Sequence, residues 1–344
     1  MYERFFGLNE RPFDLVPNPR FLFLTPRQRE AFSNLRYGLT VSRGLTLLLG
    51  EAGTGKTTLL QSVLSEVDSS SVECVLMSNP TLTRAEFYEF LAAGFKLSPE
   101  AANSKTRFLF ELSQHLEARH AVGGVSAIVL DEAQSLPYEL LEEVRLLSNI
   151  DTQKVKLLNV ILAGQPELAA KLNESGLRQL KQRIGLRCDL APLDFPETAA
   201  YIAGRLRIAG GDPAGIFSRE AILAIHETSG GIARTINVVC DNALMGGFAS
   251  QVKPVTRAMV EEVCRDFDLR TLSTAANGAN SESVDRAATP RQDLASEPGV
   301  RAEGTFFEGA RAHPSVRPAG TPGDATSAPV MFGEIGRKRR LSFF

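Results

Sequence analysis

Apolar residues in this chain follow two regimes. Between residues 44 and 190 they gather in short, nearly unbroken runs: Leu45–Leu49, Val72–Met77, Val125–Leu130, Leu157–Ala163 and Leu186–Leu190. Runs of this length and density read as strands covered on both faces. Helical stretches separate them, and the alternation predicts a parallel α/β sheet. From 194 to 270 the strand signal stops. The spacing there predicts helices over Pro196–Ala209, Arg219–Thr228, Ala233–Phe248 and Arg257–Phe267. Ser218 and Thr256 stand where N-caps belong, and Gly230-Gly231 and Gly246-Gly247 punctuate helix ends.

Beyond residue 271 the periodicity lapses. The chain becomes rich in Ala, Ser, Gly, Thr, Pro and Arg, with too little apolar surface to offset its ordering entropy. The expected organisation is therefore an N-terminal segment over 1–43 packing on the core, an α/β core over 44–192, a small all-α domain over 193–270 and a disordered tail over 271–344. The first thirty residues interleave Arg4, Arg11, Arg20, Arg27 and Arg29 with Phe5, Phe6, Phe13, Phe21 and Phe23. That pattern suits a nucleic-acid surface or an aromatic packing segment, and the aromatic density favours packing. Arg337-Lys338-Arg339-Arg340 reads as a solvated tail end.

Composition narrows the picture. The 344 residues are 43% hydrophobic and 23% charged, as in a globular protein. No apolar run is long enough to span a bilayer, so a cytoplasmic location is expected. The formal net charge of −2 gives no global basic field for nucleic acid. Cys74, Cys188, Cys240 and Cys264 lack metal-ligand spacing and are expected as buried, reduced thiols.

The candidate chemistry lies after the first strand. Gly50-Glu51-Ala52-Gly53-Thr54-Gly55-Lys56-Thr57 matches G-x-x-x-x-G-K-[ST], with an apolar strand leading in and a helix from Thr58 leading out. Glycines let the backbone wrap a phosphate, and the helix N-terminus adds positive dipole charge. Lys56 is expected on the β- and γ-phosphates of ATP, and the Thr57 hydroxyl on Mg²⁺. The strand Ala127–Leu130 ends in Asp131-Glu132. Asp131 is the second expected Mg²⁺ holder and Glu132 the expected general base toward water. Adjacent carboxylates favour hydrolysis by water over a small-molecule kinase. Asp131-Glu132-Ala133-Gln134 superficially matches a helicase box, without other helicase motifs.

Together these features resemble AAA+ ATPases. Tyr2-x-x-Phe5-Phe6-Gly7-Leu8, Pro12-Phe13, Pro17-Asn18-Pro19 and Phe21-Leu22 narrow the resemblance to the general secretion pathway protein A (ExeA-like) group, related to the TniB-type transposition ATPases. So do Gly164-Gln165-Pro166-Glu167-Leu168, Leu177-Arg178-Gln179-Leu180-x-Gln182-Arg183-Ile184 and Gly230-Gly231-Ile232-x-Arg234-x-Ile236-Asn237. The resemblance implies a P-loop AAA+ fold with a helical lid. It implies Gln165 as sensor 1, Arg234 as sensor 2 and Arg183 as an arginine finger reaching into a neighbouring subunit, with Arg178 as the rival. Asn18 and Ala233 depart from the group's usual acidic residue and proline. The implied function is an ATP-hydrolysing switch, acting as a homo-oligomer on a secretion, pilus or exopolysaccharide-export assembly, with a client possible at the inner membrane. The alternative is a DNA-associated ATPase in transposition or recombination. The membrane span and wall-binding region of secretion relatives are not seen in this sequence.

Overall fold

Five strands carry the site: β1 (Leu45–Gly50), β2 (Val72–Met77), β3 (Val125–Leu130), β4 (Leu158–Gly164) and β5 (Ile184–Leu190). They form one sheet in the order β2-β3-β4-β1-β5, with every pair parallel. This computed structural model describes residues 1–16, 18–41, 44–78, 81–152 and 155–269. Pro17 of the N-terminal motif, the expected tail over 271–344 and its basic run lie outside the described residues.

Strand pleating explains why the apolar runs are unbroken. Leu45, Leu47 and Leu49 of β1 join Ile128, Leu130, Val160 and Leu162 in a core on one face of the sheet. Leu48 joins Val129, Ile161 and Ala163 on the other. Successive side chains point to opposite faces, so a strand buried on both must be apolar throughout. β5 departs from that expectation. It is an edge strand in which Cys188 and Leu190 are buried while Arg187 and Asp189 face solvent and pair with each other at 2.9 Å.

Of the cysteines, Cys188, Cys240 and Cys264 are buried and Cys74 is partly so; all four are free. Burial pushes the Cys74 thiol up to about 12 and Cys188 to about 11, which keeps both protonated.

After β5 come the helices Phe195–Ile208, Pro213–Ile216, Arg219–Ser229, Ala233–Ala249 and Arg257–Asp266. Asp194 and Glu197 form a reciprocal capping box on the first. Ser218 caps the third through the Ala221 amide, whereas Thr256 occupies its N-cap position without a side-chain hydrogen bond. Gly230 ends Arg219–Ser229 in the left-handed conformation, as expected. Gly246 and Gly247 do not end a helix: both lie inside Ala233–Ala249. A Cβ on Gly247 would sit 3.0 Å from the Phe6 ring, so this glycine serves close packing of the N-terminal segment.

That packing corrects a second expectation. Tyr2, Phe6, Phe13 and Phe21 are buried with Ile202, Leu206, Ile236 and Leu244 of the helical region, not on the α/β core. Phe5 meets Phe248, Phe13 meets Phe217 and Phe23 meets Tyr201 edge to face. The later part of the segment does pack on the sheet: the helix Pro26–Thr40 through Ala31, Phe32, Leu35 and Leu39, with Leu22 and Leu24 against the same core. Among the described residues, no helix is long and apolar enough to cross a membrane.

Candidate functional site

The carboxyl ends of β1, β3 and β4 converge because β1, first in sequence, lies between β4 and β5. Ligands of open α/β sheets bind at such reversals of strand order. The loop leaving β1 turns through Gly53 at φ 82° and Gly55 at φ 97°, a region that side-chain-bearing residues enter at a cost. Gly55 then caps the helix Lys56–Glu66. Lys56 is only 4% exposed. Its ammonium donates to the carbonyls of Gly50 at 2.9 Å and Glu51 at 3.1 Å. Burial lowers its pKa, opposed by the charges of Glu132, Asp131 and Glu167. Among the described residues, backbone carbonyls alone hold this buried ammonium, a positive charge suited to an incoming anion. Glu51 and Ala52 are exposed on the loop's outer side, and Thr54 folds back, donating to the Glu51 carbonyl at 2.8 Å.

Thr57 and Asp131 meet directly. The Thr57 hydroxyl donates to Asp131 Oδ2 at 2.6 Å, and Asp131 Oδ1 accepts from the Glu132 amide at 2.9 Å. A hydroxyl and a buried carboxylate at the mouth of a phosphate loop form an all-oxygen donor set suited to Mg²⁺.

Glu132 turns out of β3 in the left-handed conformation, φ 53°. Its Oε2 accepts from Gln134 Nε2 at 2.6 Å and from Gln165 Nε2 at 3.2 Å. Gln134 Oε1 in turn accepts from the Gln165 amide at 3.1 Å. Burial works to raise the Glu132 pKa, but the two amide donors and the charge of Lys56 prevail, so the carboxyl lies below its ordinary value. Gln134 has no role in the sequence reading beyond the superficial helicase box. Its position two residues after Glu132, on a single turn over Ala133–Ser135, was the available signal. A Cβ on Gly164 would come within 2.7 Å of Leu168 Cδ2 and 2.9 Å of Gln134 Oε1, so glycine at the end of β4 leaves room for this network.

Arg234 sits in the first turn of Ala233–Ala249, and its amide donates to the Gly53 carbonyl at 3.1 Å. Arg234 lines a cavity of about 370 Å³ together with Gly53 to Leu59 and Glu132. Asp14, Val16, Asn18 and Phe21 to Leu24 of the N-terminal segment complete the lining with Tyr201, Arg205 and Asn237. Arg183 lies elsewhere. Leu45 of β1 pairs with Ile184, so Arg183 stands level with the start of β1, roughly 17 Å of strand from the loop at its end. Arg183 is half-buried and Arg178 exposed, and neither belongs to the cavity lining. The Arg183 charge helps Arg145 hold the Glu142 carboxyl below its usual range.

Residues 39–172 match the AAA domain family. Over 250 residues the chain is 42% identical to general secretion pathway protein A of Aeromonas hydrophila, covering 72% of this chain and 45% of that protein. The chain thus spans a little under half the length of this curated relative. In fold it is similar to CDC6P from Pyrobaculum aerophilum, with a TM-score of 0.57 and 17% identity over 74% of this chain and 70% of that one. The Aeropyrum pernix ORC2 protein gives a TM-score of 0.55 at 16% identity, over 74% and 71%.

Proposed function

We propose that this chain, with its AAA+ P-loop fold and its similarity to general secretion pathway protein A, binds and hydrolyses ATP with Mg²⁺ in the cavity beside the Gly50–Thr57 loop. The observation that carries the reading is the Thr57–Asp131 contact at 2.6 Å beside a buried Lys56. The amides of Gly53 to Thr58 would cradle the phosphates, and Lys56 would leave its loop carbonyls for the β- and γ-phosphate oxygens. Mg²⁺, held by Thr57 and Asp131, would neutralise phosphate charge. Glu132 is the proposed base, taking a proton from the attacking water at its carboxylate. Gln134 and Gln165 orient that carboxylate and keep it ionised. Arg234 would contact phosphate from the helical side and tie its position to occupancy of the site.

Arg183 cannot serve its own cavity, so its proposed role is in trans, in a neighbouring subunit of a homo-oligomer. The 42% identity supports a client in secretion, with a membrane-associated partner part of the same proposal. Solved structures at 16–17% identity speak for the fold alone and lend the DNA-associated alternative no support.

The test is calorimetric titration with Mg·ATP, followed by phosphate release against protein concentration, with and without duplex DNA. Saturable binding with a rate per subunit that rises with concentration is expected. Absence of Mg·ATP binding would remove the ATPase reading. A rate that required DNA would favour the alternative.

A further inference from the structure

Among the residues lining the cavity, three buried polar side chains from two helices form one chain of hydrogen bonds. Arg205 is 7% exposed and Asn237 8% exposed. Arg205 Nη1 donates to the Tyr201 hydroxyl at 2.5 Å, and Tyr201 donates to Asn237 Oδ1 at 2.9 Å. A guanidinium can only donate, so the Tyr201 oxygen accepts from Arg205, and its own proton goes to Asn237 Oδ1. With its carbonyl toward Tyr201, Asn237 turns its amide nitrogen the other way. Burial raises the Tyr201 pKa, so the hydroxyl keeps the proton on which this polarity depends.

The Asn237 amide nitrogen has no hydrogen-bond partner among the described residues, and it is not among the buried side-chain atoms sealed from solvent without one. Asn237 is among the residues that line the cavity. Arg205 is held by the Pro12 carbonyl, which accepts from Nε at 2.6 Å, and by the rings of Phe21 and Tyr201 at 5.0 and 5.3 Å. Among the described residues it has no carboxylate partner. Its cost of burial is met by carbonyl, hydroxyl and ring. Asn237 follows Arg234 by three positions, one turn further along the same helix face and away from the loop.

We propose that Asn237 is a nucleoside-reading residue, donating its amide hydrogen to an acceptor on the ribose or base of the bound nucleotide, with Tyr201 and Arg205 as the residues that position it. This deepens the ATP reading and rests on it. No covalent step is involved. The ligand chemistry is a hydrogen-bond acceptor on the nucleoside half of the molecule, beyond the reach of Lys56 and Thr57.

Asn237→Asp tests it. The shape is kept, but the donor becomes an acceptor that repels acceptors on the ligand. Calorimetric titrations of the full chain with Mg·ATP and with Mg²⁺ and inorganic tripolyphosphate separate the two halves of the ligand. The expected result is at least about a 10-fold loss of affinity for Mg·ATP, with tripolyphosphate affinity kept within about 2-fold. Tyr201→Phe should give a smaller loss in the same direction, because Asn237 is then free to rotate. Unchanged Mg·ATP affinity in Asn237→Asp would overturn the proposal. An equal loss for both ligands would also overturn it, since a structural defect would then explain the result. A parent protein that bound neither probe would sink the ATPase reading itself; parent binding with an indifferent Asn237→Asp sinks only the nucleoside contact.

Discussion

The hydroxyl of Thr57 and the carboxylate of Asp131, 74 positions apart in the chain, meet at 2.6 Å. One opens the helix after β1 and the other closes β3, and β4 lies between those strands in the sheet. The contact therefore spans the width of one intervening strand, at the ends where loops leave the sheet. For Asp131→Asn, Mg²⁺-dependent strengthening of ATP binding should largely disappear, because a carboxamide is a weak Mg²⁺ partner. Calorimetry with and without Mg²⁺ measures it. A variant that kept the parental Mg²⁺ dependence would remove Asp131 from the metal site.

Glu132→Gln should keep Mg·ATP affinity and lose about 10²-fold or more in turnover. Phosphate release against calorimetric affinity separates the two. Parental turnover would show that another group accepts the proton.

Gln134→Ala removes one of the two amide donors that lower the Glu132 pKa. A base acts only when ionised. With a depressed pKa, activity should persist as pH falls below the usual glutamate range, and the acid limb should move to higher pH in the variant. Rate profiles of parent and variant between pH 4 and 8 would read the shift, and coincident acid limbs would disconnect Gln134 from the base.

Arg183→Ala should bind ATP normally but hydrolyse it poorly. Mixed with Glu132→Gln, activity should partly return, because a junction can then combine an intact Glu132 with a neighbour's Arg183. No recovery in the mixture, with Arg178→Ala showing it instead, would transfer the role to Arg178.

The two glycine pairs should behave oppositely. A Cβ on Gly231, at φ +77°, would lie 1.9 Å from the Leu193 carbonyl oxygen, so Gly231→Ala should destabilise by about 2–4 kcal/mol. A Cβ on Gly246 meets nothing within 4 Å inside a helix, so Gly246→Ala should stabilise by about 0.5–1 kcal/mol. Chemical denaturation of both variants checks the sign.

Much was already legible in the chain because it is carried by local chemistry. A strand covered on both faces has to be apolar throughout, so β1, β3 and β4 stand out as unbroken runs. A backbone that wraps a phosphate needs glycine, lysine and threonine at set spacing, so the Gly50–Thr57 loop and the Asp131-Glu132 pair are written in consecutive residues. What the chain alone could not decide depends on contacts between distant segments. Aromatics at Tyr2, Phe6 and Phe13 announce burial but not the surface that receives them, and tertiary packing placed them on the helical region. Gly246-Gly247 has the composition of a helix end, yet its meaning was set by the ring of Phe6 lying against Gly247. The nearness of Gln134 to Gln165, and of Asn237 to Tyr201 and Arg205, follows from strand order and helix packing. Periodicity records which face of an element is buried; it carries no record of which partner that face meets.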